Sequence, residues 1–290
     1  MKAIVPFDFS AGSRSAVKFG LYLSRQMEGL ELEFMYCSPL VHAPRYVFSG
    51  VKIPSLQEQK NKILSEMKQF VSRSQTEPRE LPPGISFHFE DTSQAAQAIL
   101  EAAKKGKADV IIMGTTGESN IRRILMGSTT LKVMEEAPCP VLTVPLKHKL
   151  RALKTVALAT ELVNTDKEVA FVHHLLAPLQ AHYHIVHVHP VFPQKVVPSA
   201  EVVGRLTSKI EKNVDPSAFT FHIVKTKEDN QLIEGLEKEL SRLKPALLVM
   251  FHRHRNWLDK LISRSETASV AFHTKIPVLS VRTDLLKRGS

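Results

Sequence analysis

The sequence predicts an α/β protein built as two tandem doubly wound domains, and three observations carry that prediction. Short apolar runs alternate with segments of helical periodicity along the whole chain, the order expected when parallel strands are joined by right-handed helical crossovers. The order then restarts: ADVIIMG at 108–114 falls on PALLVMF at 245–251, and PVLTV at 140–144 falls on PVLSV at 277–281, both at an offset of 137. Two ungapped matches at one spacing mark two copies of one domain. Finally, four consecutive apolar residues, Val110 to Met113, stop at Gly114 and are followed by Gly117, as in a strand buried on both faces that ends in a glycine-rich turn.

Taken in order, Lys2 to Phe7 is an apolar opening strand closed by Asp8-Phe9-Ser10, and Ser15 to Met27 follows as a helix. Leu30 to Cys37 is the second strand; Ser38 to Pro54, with its prolines and glycine, is a loop long enough to be functional or mobile. Leu56 to Val71 places Ile63, Leu64, Met67, Phe70 and Val71 on one helical face. After the break at Pro78 to Gly84 come strand Ile85 to Phe89, helix Ala95 to Lys104, strand Asp109 to Met113, helix Ser128 to Glu136 and strand Val141 to Val144.

Lys147 to Leu153 reads as a linker, giving domains at 1–146 and 154–284. The second copy then runs through strand Thr155 to Ala159, helix Thr165 to Leu176, strand His184 to Val188, helix Glu201 to Lys212 and strand Phe219 to Val224. It closes with helix Asn230 to Leu243, strand Ala246 to Met250, a helix near Glu266 to His273, and strand Val278 to Val281.

The chemistry concentrates after Met113. Glycines beyond the carboxyl end of a parallel strand let the backbone approach a phosphate closely, and Gly127-Ser128-Thr129 supplies a second such turn. Ser128 is a natural N-cap, so a phosphate there would meet its hydroxyl and the unpaired amides of a helix N-terminus. The pattern G-x2-G-x9-G-S-T is longer than a lone glycine pair and is not a P-loop, since no G-x4-G-K-[ST] occurs. From spacing alone, tight turns and a helix cap explain these residues equally well.

Composition bounds the rest. A chain of 290 residues with 43% hydrophobic and 23% charged residues is ordinary globular protein of about two domains. No apolar run is long enough to span a bilayer, and MKAIVPFDFS lacks a signal-peptide core, so a cytoplasmic protein without membrane partners is expected. The two cysteines, Cys37 and Cys139, lie in separate apolar segments and predict buried thiols rather than a disulfide framework. The net charge of +10 is spread along the chain without aromatic interleaving, which favours a solvated basic surface over a nucleic-acid groove.

The opening IVPFDFS, the segment IIMGTTGESNIRRILMGSTTLKVM and the ending PCPVLTVP resemble the universal stress protein family, in its nucleotide-binding subgroup. The resemblance implies, in each copy, a five-stranded parallel sheet of order 3-2-1-4-5 flanked by helices, with ATP at the carboxyl ends of strands 1 and 4 and the two domains paired through their last strands. It implies that Pro6, Phe7 and Asp8 border the adenine and ribose, with Asp8 accepting a hydrogen bond where the residue alone reads as a turn or cap. Cys37 would contact the base. Gly114, Gly117, Gly127, Ser128 and Thr129 would surround the triphosphate, with Met113 beneath it, and magnesium could accompany the nucleotide. Tyr36-Cys37 departs from the family's usual His-Val at that strand end.

In the second copy the offset places Phe251, His254 and Arg264 on Gly114, Gly117 and Gly127, and Thr160 falls near Asp8; only Ser265 remains. One ATP per chain, in the first domain, is therefore expected. The implied role is a regulatory stress-response module with a protein partner the sequence does not name, an intrachain pseudo-dimer with room for a further homodimer, and at most slow ATP hydrolysis. The alternatives are an adenine-nucleotide hydrolase or adenylyl-transfer enzyme of the same superfamily, and a scaffold without nucleotide.

Ten of the 13 histidines lie in the second copy. In a strand His182 and His184 share a face, as do His187 and His189, but no cysteine or carboxylate has closing spacing, so no metal site is expected. His187-Val188 also matches the family's His-Val. No G-x-S-x-G elbow occurs, and a serine-hydrolase reading is not supported.

Overall fold

The computed structural model describes residues 1–41, 54–75, 80–115, 127–191, 198–227, 231–252 and 275–287. In the first half these form β1 (Lys2–Pro6), α1 (Ala11–Ser24), β2 (Glu31–Cys37), α2 (Leu56–Arg73), β3 (Ile85–Glu90), α3 (Ala95–Lys105), β4 (Val110–Gly114), α4 (Ser128–Glu136) and β5 (Val141–Val144). The second half repeats them as β6 (Thr155–Ala159), α5 (Thr165–Leu176), β7 (His182–Pro190), α6 (Ala200–Ile210), β8 (Phe219–Thr226), α7 (Leu232–Leu243), β9 (Leu247–His252) and β10 (Val278–Arg282). The helix expected near 266–273, the body of the loop after Ser38, and Gly117, His254, Arg264 and Ser265 lie outside the described residues.

All ten strands join one sheet of order β3-β2-β1-β4-β5-β10-β9-β6-β7-β8, which is 3-2-1-4-5 in each half. Every pairing within a half is parallel. The halves meet where β5 and β10 pair antiparallel, Leu142 opposite Leu279, and Thr143 Oγ1 donates to Val278 O at 3.3 Å across that seam. Both strands carry apolar side chains that an open edge would leave available for aggregation, and pairing them closes it.

The central strands are buried on both faces because helices cover both: Ala3, Val5, Phe34 and Ile112 pack on one side, Ile4, Met35, Ile111 and Met134 on the other. Helix starts are set by side-chain caps where the sequence offers them. Ser10 accepts from Ser13 N and begins α1 at Ala11, earlier than the apolar periodicity from Ser15 suggests. Ser55 and Glu58 form a reciprocal capping box on α2. The linker is tied to both halves: Arg151 donates to Pro245 O of the second, and the His148 ring packs edge-on against Phe19 of the first.

Candidate functional site

In a parallel sheet every following helix starts at the carboxyl edge of the strands, so helix N-termini gather there. In the first half that edge encloses a cavity of about 300 Å³. Its walls are Pro6, Phe7 and Asp8 after β1, Met35 and Cys37 of β2, Met113 and Gly114 of β4, Ser13 of α1, Ala95 and Ile99 of α3, and Gly127 to Thr130 at the start of α4. Of the ten residues the sequence singles out, nine line this one cavity. The tenth, Gly117, lies outside the described residues.

Two of the three helix ends are open. Neither Gln94, before α3, nor Gly127, before α4, caps its helix with a side chain, so amides of both first turns remain for an anion. Here the structure differs from the sequence expectation: Gly127, extended at φ −60° and ψ 143°, is the N-cap, and Ser128 is the first helical residue. The turn is held from below, with Gly127 N donating to Thr115 O at 3.0 Å and Thr130 Oγ1 to Gly114 O at 3.1 Å.

The third end, at α1, fixes Asp8. Ser10 N donates to Asp8 Oδ1 at 3.1 Å, and Asp8 N donates to Ser13 Oγ at 3.3 Å. That hydroxyl in turn donates to Ser10 O at 3.1 Å. Phe9 sits at φ 61°, a left-handed conformation uncommon for a bulky residue, and its ring packs among Phe7, Tyr36 and Phe70. Asp8 is therefore a turn residue that also lines the cavity.

Gly114 is required by the fold as much as by any ligand. A Cβ built on it would stand 2.6 Å from the carbonyl carbon of Gly12 and 3.0 Å from Ser13 N, so only glycine lets β4 pass under the start of α1. The opposite end of the cavity is apolar and sulfur-rich: Met35, Cys37, Ile99 and Met113. Burial, with Glu90 beside it, pushes the Cys37 thiol up to about 11, so it is a neutral wall and not a nucleophile. Among the described residues the lining holds one carboxylate, Asp8, and no lysine or arginine.

Ser13, Met35, Ala95, Ile99 and Thr130 escaped the sequence reading. Ser13 carried a signal, the S-x-x-S spacing from Ser10. Ile99 read simply as part of an apolar helical face.

The second half has the same frame with different filling. Pro6 pairs with Met35 and Ala159 with Val186; Phe7 N and Thr160 N donate to the carbonyls of those two partners; and Leu162, like Phe9, has φ 61°. Thr160 therefore corresponds to Phe7, and Glu161 to Asp8, which corrects the placement of Thr160 on Asp8: the acid is retained. Thr160 Oγ1, however, is tied to Thr165 Oγ1 at 2.9 Å and to the buried Glu168 at 2.7 Å. Phe251 stands where Gly114 does, as register confirms. Gly235 lets α7 settle onto the strand ends, since a Cβ there would lie 2.8 Å from Val188 Cγ1, and Val188 is the counterpart of Cys37.

Comparison with known proteins agrees with this architecture. Residues 1–145 match the family model described as the universal stress protein family. Universal stress protein MJ0531 of Methanocaldococcus jannaschii is 31% identical over 152 residues, 51% of this chain and 84% of that protein. A universal stress protein of Thermus aquaticus is 53% identical over 49 residues, 17% of this chain and 36% of that one. The crystal structure of a universal stress protein from Archaeoglobus fulgidus shares the fold at a TM-score of 0.65 and 15% identity, covering 97% of this chain and 98% of that one. With half its length matched by the family model and its strand order repeated in both halves, the chain belongs to the universal stress protein family.

Proposed function

We propose that the first half binds ATP and that the protein is a cytoplasmic stress-response module, regulatory rather than catalytic. The observation that carries this reading is the meeting of two uncapped helix N-termini with a glycine turn at one cavity. Phosphate oxygens would replace the missing caps on α4, with Ser128 and Thr129 adding hydroxyl donors. The sulfur-rich end suits a flat apolar base, and Asp8 stands where a ribose hydroxyl could donate to it. About 300 Å³ is at the small end of the range for ligand sites.

One carboxylate does not make a metal-holding pair, so magnesium would ride on the phosphates and any hydrolysis would be slow. The second half, taken as a separate unit over 154–284, would bind no ATP in this manner: Phe251 fills a glycine position, and the Thr160-Thr165-Glu168 network ties up the turn that faces the ligand in the first half. Its place is to complete the sheet, leaving a protein partner and further homodimerisation to surfaces elsewhere.

Calorimetry of the whole chain with ATP and with AMP, with and without magnesium, tests the reading. One site per chain is expected, and two equivalent sites would reject the asymmetry. Failure to bind either nucleotide would leave the scaffold reading. Rapid multiple-turnover release of ADP or AMP would favour the enzyme reading instead.

A further inference from the structure

Asp8 is held twice, by two serines one helical turn apart. Ser10 Oγ accepts from Ser13 N at 3.1 Å, which is one half of a capping box on α1. In the other half of such a box, the side chain at the third helical position accepts from the backbone N–H of the cap residue. Ser13 occupies that position, but its Oγ accepts from Asp8 N at 3.3 Å instead. The N–H thereby left over, on Ser10, goes to Asp8 Oδ1 at 3.1 Å. The displaced box thus fixes both the backbone and the carboxylate of Asp8.

The Ser13 hydroxyl is fully used in doing this. It accepts from Asp8 N and from Ser10 Oγ at 3.3 Å, and donates its one proton to Ser10 O at 3.1 Å. Although Ser13 lines the cavity, its Oγ has no capacity left for a ligand. Asp8 has. Among the described residues its Oδ2 makes no hydrogen bond, and a carboxylate oxygen is complementary to a hydroxyl donor while it repels phosphate. We propose that Ser13 is a positioning residue for ligand selection: it holds Asp8 with one carboxylate oxygen left to accept from a sugar hydroxyl, so that the cavity prefers ribonucleotides over nucleotides lacking those hydroxyls. This rests on nucleotide binding by the first half.

The surrounding turn leaves little else to place Asp8. Phe7 is anchored by its N–H to Met35 O at 2.9 Å, Ser10 is the cap of α1, and only Asp8 and the left-handed Phe9 lie between them. Removing the Ser13 hydroxyl frees Asp8 N within that span. It leaves α1 capped, because Ser10 Oγ accepts from the backbone of Ser13 and not from its side chain. The second half is built differently: Asn164 makes no side-chain cap on α5, and the hydroxyl beside Glu161, on Thr160, is bonded to Thr165 and Glu168.

Calorimetry of the full chain with ATP, ADP and an ATP analogue lacking both sugar hydroxyls tests the proposal. The unaltered protein should prefer ATP to the dideoxy analogue by about 10 to 150-fold, the worth of a hydrogen bond to a charged group. Ser13→Ala should cut that preference by about 2 to 12-fold, the worth of one neutral hydrogen bond, with the ATP-to-ADP ratio and the far-ultraviolet dichroism unchanged. In an Asp8→Ala background Ser13→Ala should no longer alter the preference, which a serine acting only on stability would not produce. ATP binding without sugar preference in the unaltered protein, a preference that Ser13→Ala leaves intact, or an equal effect of Ser13→Ala without Asp8 would each overturn the positioning role and leave nucleotide binding standing. Failure of the unaltered protein to bind any of the three nucleotides would overturn both.

Discussion

Gly114 and Gly12 touch: the carbonyl carbon of Gly12 lies 2.6 Å from where a Cβ on Gly114 would be, so the strand that floors the cavity and the helix that walls it are in backbone contact. Gly114→Ala should force them apart, destabilising the protein by about 1–3 kcal/mol and weakening any ligand in the cavity. Gly204 in α6 has nothing within 4 Å; there the same change should stabilise by about 0.5–1 kcal/mol. Urea denaturation of the two variants checks both signs.

Ser128→Ala removes a hydroxyl at the open end of α4 without removing a cap, because Gly127 is the cap. Helix stability should hardly change. ATP affinity should fall by about 5 to 150-fold, the loss of one charge-assisted hydrogen bond of roughly 1–3 kcal/mol, while Ser265→Ala should leave it unaltered. Calorimetry of the two variants gives the comparison.

With its thiol pushed up to about 11, Cys37 should be roughly one part in a thousand thiolate at pH 8, far below a free cysteine. Alkylation by iodoacetamide should therefore be slow in the folded protein, fast after denaturation, and slower again with ATP present. Mass spectrometry of the Cys37 peptide follows each case.

His252 is buried at the end of β9, and burial together with Arg282 holds it down at about 4 against an ordinary 6.5, despite the opposing pull of Asp284. An unfolded chain takes up this proton near 6.5 and the folded one only near 4. Stability is thus intact above pH 6.5 and is lost as pH falls from 6.5 to 4, by up to about 3 kcal/mol for this group. His252→Gln should flatten the curve measured by thermal unfolding at stepped pH.

Strands were legible because burial on both faces demands unbroken apolar runs, as in Val110 to Met113. The cavity was legible as far as its turns, where residue type and conformation are tightly linked, so Asp8, Gly114, Gly127, Ser128 and Thr129 all arrive in it. Its walls were not. Ile99 and Met35 look like core until the crossovers place them at the carboxyl edge, a relation between distant segments that no local pattern records. The correspondence of Asp8 with Glu161 failed for a related reason: the turn before the helix is one residue longer in the second half, Ser10 capping α1 and Asn164 preceding α5, and only the shared positive φ at Phe9 and Leu162 restores the alignment.

The antiparallel seam between β5 and β10 reverses the direction of the second half relative to the first. All strands of one half therefore run toward one rim of the common sheet, and those of the other half toward the opposite rim. The cavity and its altered counterpart open on opposite rims of the sheet. A binding protein could cover the whole rim around Thr160, Glu161 and Phe251 without narrowing the entrance beside Ser128. The two faces are thus sterically insulated, free to be occupied together or to diverge separately, with β5 and β10 between the strands that floor them.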